Sequence, residues 1–140
     1  MGNEGDKGYK KLVGYKYLKS YQLATVIYDL TIKFCNRYIS KSSRTHDQIV
    51  QAARSGKQNI AEGYLEKSLK MYIKWAGVSR GSLCELLEDY EDYARQNGIP
   101  VWSVEKSREI GDIKERYTPI LHISQISLIR SRYQSIFLSL

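Results

Sequence analysis

The sequence predicts an all-α protein: an up-down-up-down four-helix bundle with a short extra helix before the last helix. Three observations predict this fold. Apolar residues recur at spacings of three and four over four long segments, and no segment shows the period-two alternation typical of a strand. The breaks between the segments are short, which favours antiparallel neighbours. The 140 residues fit one domain, since domains typically span ~100–150 residues. We expect a basic flexible arm over residues 1–13 and a single bundle domain over residues 14–140.

The first helix is predicted from Tyr15 to Tyr38. Its apolar stripe is wide enough to face a core, and the run over residues 39–44, which is polar after Ile39, ends it. The stripe consists of Leu23, Ile27, Leu30 and Phe34, with Ala24, Thr31 and Cys35 beside it.

A capping box at Thr45 and Gln48 predicts the start of the second helix. One side of this helix carries small residues around Ala53 and Gly56, so a neighbouring helix is expected to approach closely there. Gly63 predicts its end, because glycine tolerates the left-handed conformation that ends many helices.

The longest helix is predicted to begin after Ser68 and to stop at Gly98. A short helix is expected over residues 103–117, and Thr118-Pro119 opens the last helix. The last helix is apolar around much of its circumference, which indicates contacts beyond its own bundle. We therefore expect a homo-oligomer to which this helix contributes. The core stripe of the longest helix is Leu69, Tyr72, Ala76, Ser79, Leu83, Leu86, Tyr90 and Tyr93.

The formal net charge of +7 is concentrated in the first part of the chain. Residues 1–60 hold 11 Lys/Arg against 4 Asp/Glu, whereas residues 61–140 hold 11 of each. A one-sided positive surface attracts polyanions, of which RNA and DNA are the commonest. The same surface also suits an acidic patch on another protein. The sequence therefore favours a nucleic-acid-binding protein, with a protein–protein adaptor as the alternative.

The candidate nucleic-acid-binding residues are basic side chains of the arm, the first turn and the first two helices. In the arm, lysines alternate with tyrosines such as Tyr17 and Tyr21. Single-stranded nucleic acid is held by that combination, with phosphates on cations and bases stacked on rings. Alternatively, both tyrosines belong to the packing face of the first helix. The basic residues are Lys10, Lys11, Lys16, Lys19, Arg37, Lys41, Arg44, Arg54 and Lys57.

No catalytic, cofactor or metal site is predicted. His46 and His122 stand outside any Glu-x-x-His pair, which helix-bundle di-iron sites require. Cys35 and Cys84 lack the close spacing of zinc ligands and fall on predicted core faces. The chain also lacks a glycine-rich phosphate loop. We therefore expect a protein that is not an enzyme and needs no cofactor.

An acidic ridge is predicted on the longest helix. Such a ridge is more typical of a solvated face, or of one paired with Lys/Arg from another helix or subunit, than of a cation site. Its members are Glu85, Glu88, Asp89 and Asp92.

The sequence indicates a cytoplasmic protein without a membrane partner. No apolar run approaches the ~18–20 residues that cross a bilayer. The first residues lack the apolar centre of a secretory signal, and two cysteines are too few for a disulfide scaffold.

Three segments resemble the four-helix-bundle proteins that include those encoded by 23S ribosomal RNA intervening sequences. The most specific is Gln51–Gly63, preceded by Ser43–Gln48. The run Ser82–Tyr93, with Trp102, resembles a variant called the four-helix-bundle suffix domain, and Leu12–Phe34 also fits.

The resemblance covers about residues 9–135 and implies an all-α bundle, commonly a homopentameric ring, with no established enzymatic activity. A related branch, the accessory proteins of diversity-generating retroelements, binds a reverse transcriptase and nucleic acid. By that analogy Arg54 and Lys57 face a nucleic acid or partner. The motif residues Gln51, Asn59, Glu62 and Gly63 would be structural, with Asn59 and Glu62 hydrogen-bonded within or between helices. The chain departs from the family pattern at Gly81 and Cys84.

Overall fold

In a computed structural model of the chain, the residues described are Gly8, 13–101, Ser103 and 105–106. They form a 3-10 helix (Gly14–Tyr17) and three α-helices: α1 (Lys19–Tyr38), α2 (Arg44–Leu65) and α3 (Leu69–Gln96). The all-α prediction is confirmed, and the part of the chain described contains no strand. The predicted arm lies almost entirely outside the described residues, as do most of the short helix and all of the last helix. The four-helix count and the domain boundary therefore stay predictions.

The helix α1 begins at Lys19, so the predicted start at Tyr15 is wrong. Tyr15 lies in the 3-10 helix, and the backbone of Leu18 is extended (φ −67°, ψ 129°), which separates the two elements. The predicted core stripe of α1 is confirmed in the main: Ile27 and Phe34 are fully buried, while the neighbouring leucines are partly buried.

The helix α2 begins one residue before the predicted capping box. Ser43 is the N-cap, and its hydroxyl accepts a hydrogen bond from the Thr45 amide at 3.1 Å. Thr45 is already inside the first turn, so the predicted cap at Thr45 is wrong. The predicted stop at Gly63 is also wrong, because α2 continues to Leu65. Gly63 is buried instead, where an added Cβ would lie 3.2 Å from Cβ of Trp75.

The predicted close approach at Gly56 is confirmed, and α3 is the helix that approaches. A Cβ added to Gly56 would lie 2.6 Å from Cδ2 of Leu83, a side chain that is only 1% exposed. The Ser79 hydroxyl donates to the Gly56 carbonyl at 2.7 Å, and the hydroxyls of Ser55 and Ser82 are 2.9 Å apart. Apolar packing and hydrogen bonds therefore fix the same contact.

The helix α3 has Ser68 as its N-cap and Gly98 beyond its end, as predicted. Gly98 has a φ of +63°, a conformation that glycine adopts without strain. The Ile99 amide then bonds back to the Ala94 carbonyl at 2.8 Å, which closes the helix end. The predicted core stripe fails at the start of α3, where Leu69 is 73% exposed.

A buried aromatic cluster joins α1 to the second half of α3. The ring of Phe34 lies 5.0 Å from the Tyr90 ring and 5.1 Å from the Tyr93 ring, both in edge-on geometry. Such pairs contribute about 0.5–1.5 kcal/mol each beyond the area they bury. The Tyr90 hydroxyl donates to Oγ1 of Thr31 at 3.0 Å, so the one polar end of the ring is satisfied inside the core.

Gly56→Ala is expected to destabilise the protein. The substitution gains up to about 1 kcal/mol of helix propensity, but the new methyl group meets the buried Leu83 side chain, and overpacking a core costs about 1–3 kcal/mol. Urea unfolding followed by circular dichroism measures the balance.

Gly77→Ala is the matched control, since an added Cβ there meets nothing within 4 Å in the described structure. It is expected to stabilise the protein by up to about 1 kcal/mol. A stabilising effect of both substitutions would contradict the close contact at Gly56.

The buried thiol of Cys35 is expected to make stability fall at alkaline pH. Burial, and then the Asp89 carboxylate, raises the pKa of this thiol from 9.0 to about 12, and burial also raises the pKa of Tyr90. The unfolded chain therefore releases these protons first. The stabilisation is complete below pH 9.0 and is lost as the pH rises towards the folded values.

Urea unfolding at a series of pH values on both sides of 9.0 tests this effect. Cys35→Ala is expected to lower the stability at neutral pH, because it leaves a small cavity, and to flatten the alkaline decline. Cys84→Ala removes an exposed thiol and is expected to keep the wild-type slope. Equal slopes in all three proteins would contradict the assignment to Cys35.

Candidate nucleic-acid interface

The first group of predicted cations surrounds the turn between α1 and α2. Arg37, Lys41 and Arg44 are all exposed. The turn that carries them is fixed by His46, whose Nε2 lies 3.2 Å from Oδ1 of Asn36 across the two helices. The guanidinium carbon of Arg37 also lies 5.4 Å from the centre of the neighbouring tyrosine ring.

The second group, Lys16 and Lys19, lies at the opposite end of α1, and both side chains are exposed. Tyr21 packs there against Tyr15, with the ring centres 4.9 Å apart, and burial raises the pKa of the Tyr21 phenol. Tyr17 is 77% exposed. The packing alternative therefore holds for Tyr21, whereas Tyr17 presents its ring to solvent.

The third group lies on α2 between the two ends. Arg54 is exposed, whereas Lys57 is half-buried, with Nζ 4.6 Å from the centre of the Tyr28 ring on α1. This is cation–π geometry, in which the ring attracts the ammonium group without removing its charge.

The first two groups define a basic strip along α1, from Lys16 and Lys19 to Arg37, Lys41 and Arg44. The third group lies apart from it, because Lys57 packs on Tyr28, which is nine residues, or about two and a half turns, from both Lys19 and Arg37 and therefore on the opposite side of α1. Lys19 and Arg37 stand at opposite ends of α1, about 27 Å apart at ~1.5 Å per residue. Phosphates repeat every ~3.4 Å along one strand of a duplex. The strip therefore has the length of several nucleotides.

The basic residues of the three groups are not neutralised within the described structure. No carboxylate of the described residues lies within 4.0 Å of the basic nitrogens of Lys16, Lys19, Arg37, Lys41, Arg44, Arg54 or Lys57. The excess is greatest over residues 13–43, which hold five Lys/Arg and one Asp. The helix α2 is more mixed, with three Lys/Arg and two Asp/Glu.

Lys33 belongs to this strip, although it is not among the basic residues predicted from the sequence. Its side chain is exposed on α1. Lys19, Lys33 and Arg37 are separated by nearly whole numbers of turns of ~3.6 residues, so they share one face of the helix. The sequence signal that could have identified Lys33 is its four-residue spacing from Arg37.

A family model described as 23S rRNA-intervening sequence protein matches residues 15–110. The chain belongs to this family. The match contains α1, α2 and α3 entirely, so the basic strip lies on the part of the chain that defines the family. Membership suggests an rRNA-associated role. No curated protein and no solved structure matches the chain.

The motif residues of this family member have different environments. Gly63 is buried against α3, and Gln51 is exposed. The Asn59 amide donates to Oγ of Ser55 at 3.0 Å, as the resemblance implied for a bond within the bundle. Glu62 is exposed and makes no hydrogen bond to the described residues, so the bond expected for it is absent from this part of the chain. Lys10 and Lys11 of the basic set lie outside the described residues.

The two cysteines differ in burial. Cys35 is buried, as predicted, whereas Cys84 is exposed, and its assignment to a core face is wrong.

In the acidic ridge, Asp92 accepts a hydrogen bond from Nη2 of Arg95 at 2.8 Å on the same helix, not from another helix. Burial, and then Glu85, Asp92 and Glu88, raises the pKa of Asp89.

Within the described residues, no group of three or more His, Cys, Asp or Glu residues is placed to hold a metal ion. None of the described helices combines the length and the apolar character needed to cross a bilayer.

Proposed function

We propose that this 23S rRNA-intervening sequence protein is a non-enzymatic accessory protein that binds RNA through its basic strip and acts as a homo-oligomer. The observation that carries the proposal is the display of exposed, unneutralised cations on residues 13–43, at Lys16, Lys19, Lys33, Arg37 and Lys41. Exposed cations release condensed counterions from a polyanion when they meet its phosphates, and this release drives binding. Family membership makes RNA the first polyanion to test.

Tyr17 adds stacking to this electrostatic attraction. Its ring is 77% exposed beside Lys16. Base stacking on an aromatic ring contributes about 1–3 kcal/mol per base and requires an unpaired base. We therefore favour single-stranded or looped RNA over a regular duplex as the target.

Binding is expected to weaken steeply with salt, and the double variant Lys33→Gln/Arg37→Gln tests which surface is responsible. Each lost phosphate contact with a single strand lowers the slope of log K against log salt by about 0.7. The double variant is therefore expected to lower it by about 1.4. Fluorescence-anisotropy titrations of a labelled oligoribonucleotide at several salt concentrations measure the slope.

Lys70→Gln/Lys74→Gln is the matched control, because it removes the same charge from exposed positions of α3. It is expected to leave the slope nearly unchanged. The absence of binding at low salt would reject the proposal. An equal loss in both variants would show attraction by net charge alone.

An acidic protein partner is the second candidate, because the same cations suit carboxylates. Affinity capture before and after nuclease treatment separates the two. A partner that resists RNase and DNase supports the adaptor, whereas a partner lost with the RNA supports nucleic-acid binding. The reverse-transcriptase partner and the pentamer implied by the family resemblance remain predictions.

The homo-oligomer is supported by apolar side chains that remain in solvent at the start of α3. Leu69 is 73% exposed and Ile73 is 61% exposed. Contiguous apolar surface of this kind commonly marks a protein contact. Size-exclusion light scattering is expected to give a mass that is a multiple of 16.2 kDa, and Ile73→Lys is expected to lower it.

Val26→Lys is the matched control, since Val26 is 42% exposed on a different helix, α1. It is expected to keep the wild-type mass. A clean monomer of the wild-type chain over the whole concentration range would remove the oligomer from the proposal.

A further inference from the structure

The outer face of α3 is left uncovered by the described residues. The buried side of this helix includes Ser79, Leu83 and Leu86. Residues two positions away from these lie about 200° further round the helix, at ~100° per residue, so Gly77 and Gly81 lie opposite the core. Both glycines are exposed, and a Cβ added at either would meet nothing within 4 Å in the described structure.

These two glycines differ from the buried glycine of α2. Glycine is less favourable inside a helix than every residue except proline. At Gly56, close packing against Leu83 accounts for its presence, whereas no described residue packs against Gly77 or Gly81. Two helices pack at ~8–10 Å, depending on the side chains at the contact. The middle of α3 is therefore suited to the close approach of a further helix.

The charges on the two sides of the glycines have opposite signs. Lys70 and Lys74 precede the glycines, Glu85 and Glu88 follow them, and all four side chains are exposed. None of the four forms an ion pair with a described residue. Ion pairs between the flanks of two helices determine partner choice and orientation. The face therefore complements a helix with the reverse order of charges.

The two edges of this face carry different kinds of residue. Ile73 and Cys84 are eleven residues apart, or about three turns, so they share one edge. Ile73 is 61% exposed, and the Cys84 thiol, a small apolar group, is exposed as well. Lys74 and Glu85, also eleven residues apart, share the other edge. One edge is thus apolar, and the other is charged.

The residues of this face are arranged symmetrically along the helix. The midpoints of the two edge pairs fall within half a residue of position 79, and so do those of Gly77 with Gly81 and of Lys70 with Glu88. A two-fold axis at this level relates α3 to an antiparallel copy of itself, in which residue i contacts j and j contacts i. In that arrangement lysine faces glutamate, glycine faces glycine, and the apolar edges meet.

The charges favour a second copy over residues 119–140 of the same chain as the occupant of this face. Residues 119–140 contain Arg130 and Arg132 but neither Asp nor Glu, so they offer no carboxylate to Lys70 or Lys74. A second copy of α3 offers a carboxylate to each lysine and a lysine to each carboxylate.

We infer that α3 pairs with α3 of a second copy, antiparallel about a two-fold axis, with Gly77 against Gly81 and Lys74 against Glu85. The inference rests on the homo-oligomer of the proposed function and names one of its contacts. A contact of this kind closes on itself. The smallest oligomer that it forms is therefore a pair of chains, with twice the mass of 16.2 kDa.

Charge reversal in the full chain tests the charged edge. Lys74→Glu is expected to raise the dissociation constant of the pair about tenfold, because two ion pairs are lost and each is replaced by a repulsion. Lys74→Glu/Glu85→Lys is expected to restore the wild-type constant. Within one chain the two positions are about 16 Å apart along the helix, so the restoration requires a second copy. Sedimentation equilibrium measures the constant.

Lys33→Glu is the matched control, because it makes the same charge change at an exposed position of α1. It is expected to keep the wild-type constant. Equal weakening by Lys33→Glu and Lys74→Glu, or a double variant as weak as Lys74→Glu, would overturn the pairing. An oligomer that is unchanged in every variant would overturn this contact and keep the oligomer of the proposed function. A wild-type monomer at all concentrations would reject both.

A disulfide cross-link tests the apolar edge. In Ile73→Cys, the introduced thiol is expected to lie against Cys84 of the second copy. Added glutathione disulfide accepts the two electrons as the bond forms, and the two protons leave with the reduced glutathione. Positions 73 and 84 of one helix are about 16 Å apart, beyond the Cα separation of ~4.4–6.8 Å that a disulfide spans. A bond between them therefore joins two chains, and non-reducing electrophoresis is expected to show twice 16.2 kDa.

Ile73→Cys/Cys84→Ala is the control for the cross-link and is expected to run as single chains. A ladder of higher multiples would indicate a head-to-tail contact and overturn the two-fold pairing, as would the absence of any cross-link in Ile73→Cys. Cross-linked pairs that bind no RNA would reject the RNA part of the proposed function and keep the pairing.

Discussion

The close contact between α2 and α3 at Gly56 is the constraint on which the rest of the structure depends. Because Gly56 has no side chain, Leu83 packs directly over the α2 backbone, and Ser79 reaches its carbonyl oxygen. This contact fixes the register of α3 against α2. In that register the second half of α3 brings Tyr90 to Thr31 and Phe34 of α1. The packing of all three helices thus depends on the absence of a side chain at Gly56.

The same packing determines which basic side chains remain exposed to solvent. The core faces of α1 and α2 point towards α3 and each other, so their basic residues fall on the outer faces or at the helix ends. The acidic ridge lies on α3, where Asp92 is paired within its own helix. The acidic ridge and the basic strip are therefore carried by different helices. The field over α1 is set by five Lys/Arg and one Asp across residues 13–43, and salt screens such a field over about 10 Å at ~0.1 M.

Much of the fold follows from local patterns, and the errors have physical causes. The spacing of Ile27 and Phe34 and the conformational freedom of Gly98 were sufficient to predict the core of α1 and the end of α3. Ser43 and Thr45 compete as caps two residues apart, and local sequence does not decide between them. Gly63 was interpreted as a helix end, but its role is tertiary, because it makes room for Trp75. Cys84 lies at the edge of a stripe that covers much of α3, and periodicity cannot tell which edge a partner covers. In the same way, the cations were found from composition, whereas the position of the Lys57 ammonium group over the Tyr28 ring depends on two helices that are distant in sequence.

The contact between the ammonium group of Lys57 and the ring of Tyr28 restricts the conformations of the lysine side chain. A free lysine side chain gives up about 1.5–2 kcal/mol of rotamer freedom when it becomes fixed. Lys57 has surrendered part of that freedom in the unbound protein, and the aromatic face that holds it leaves its formal charge unchanged. The lysine side chain at the seam between α1 and α2 is therefore already oriented before any anion arrives. Part of its conformational entropy is lost when the protein folds, and that part is not lost again on association.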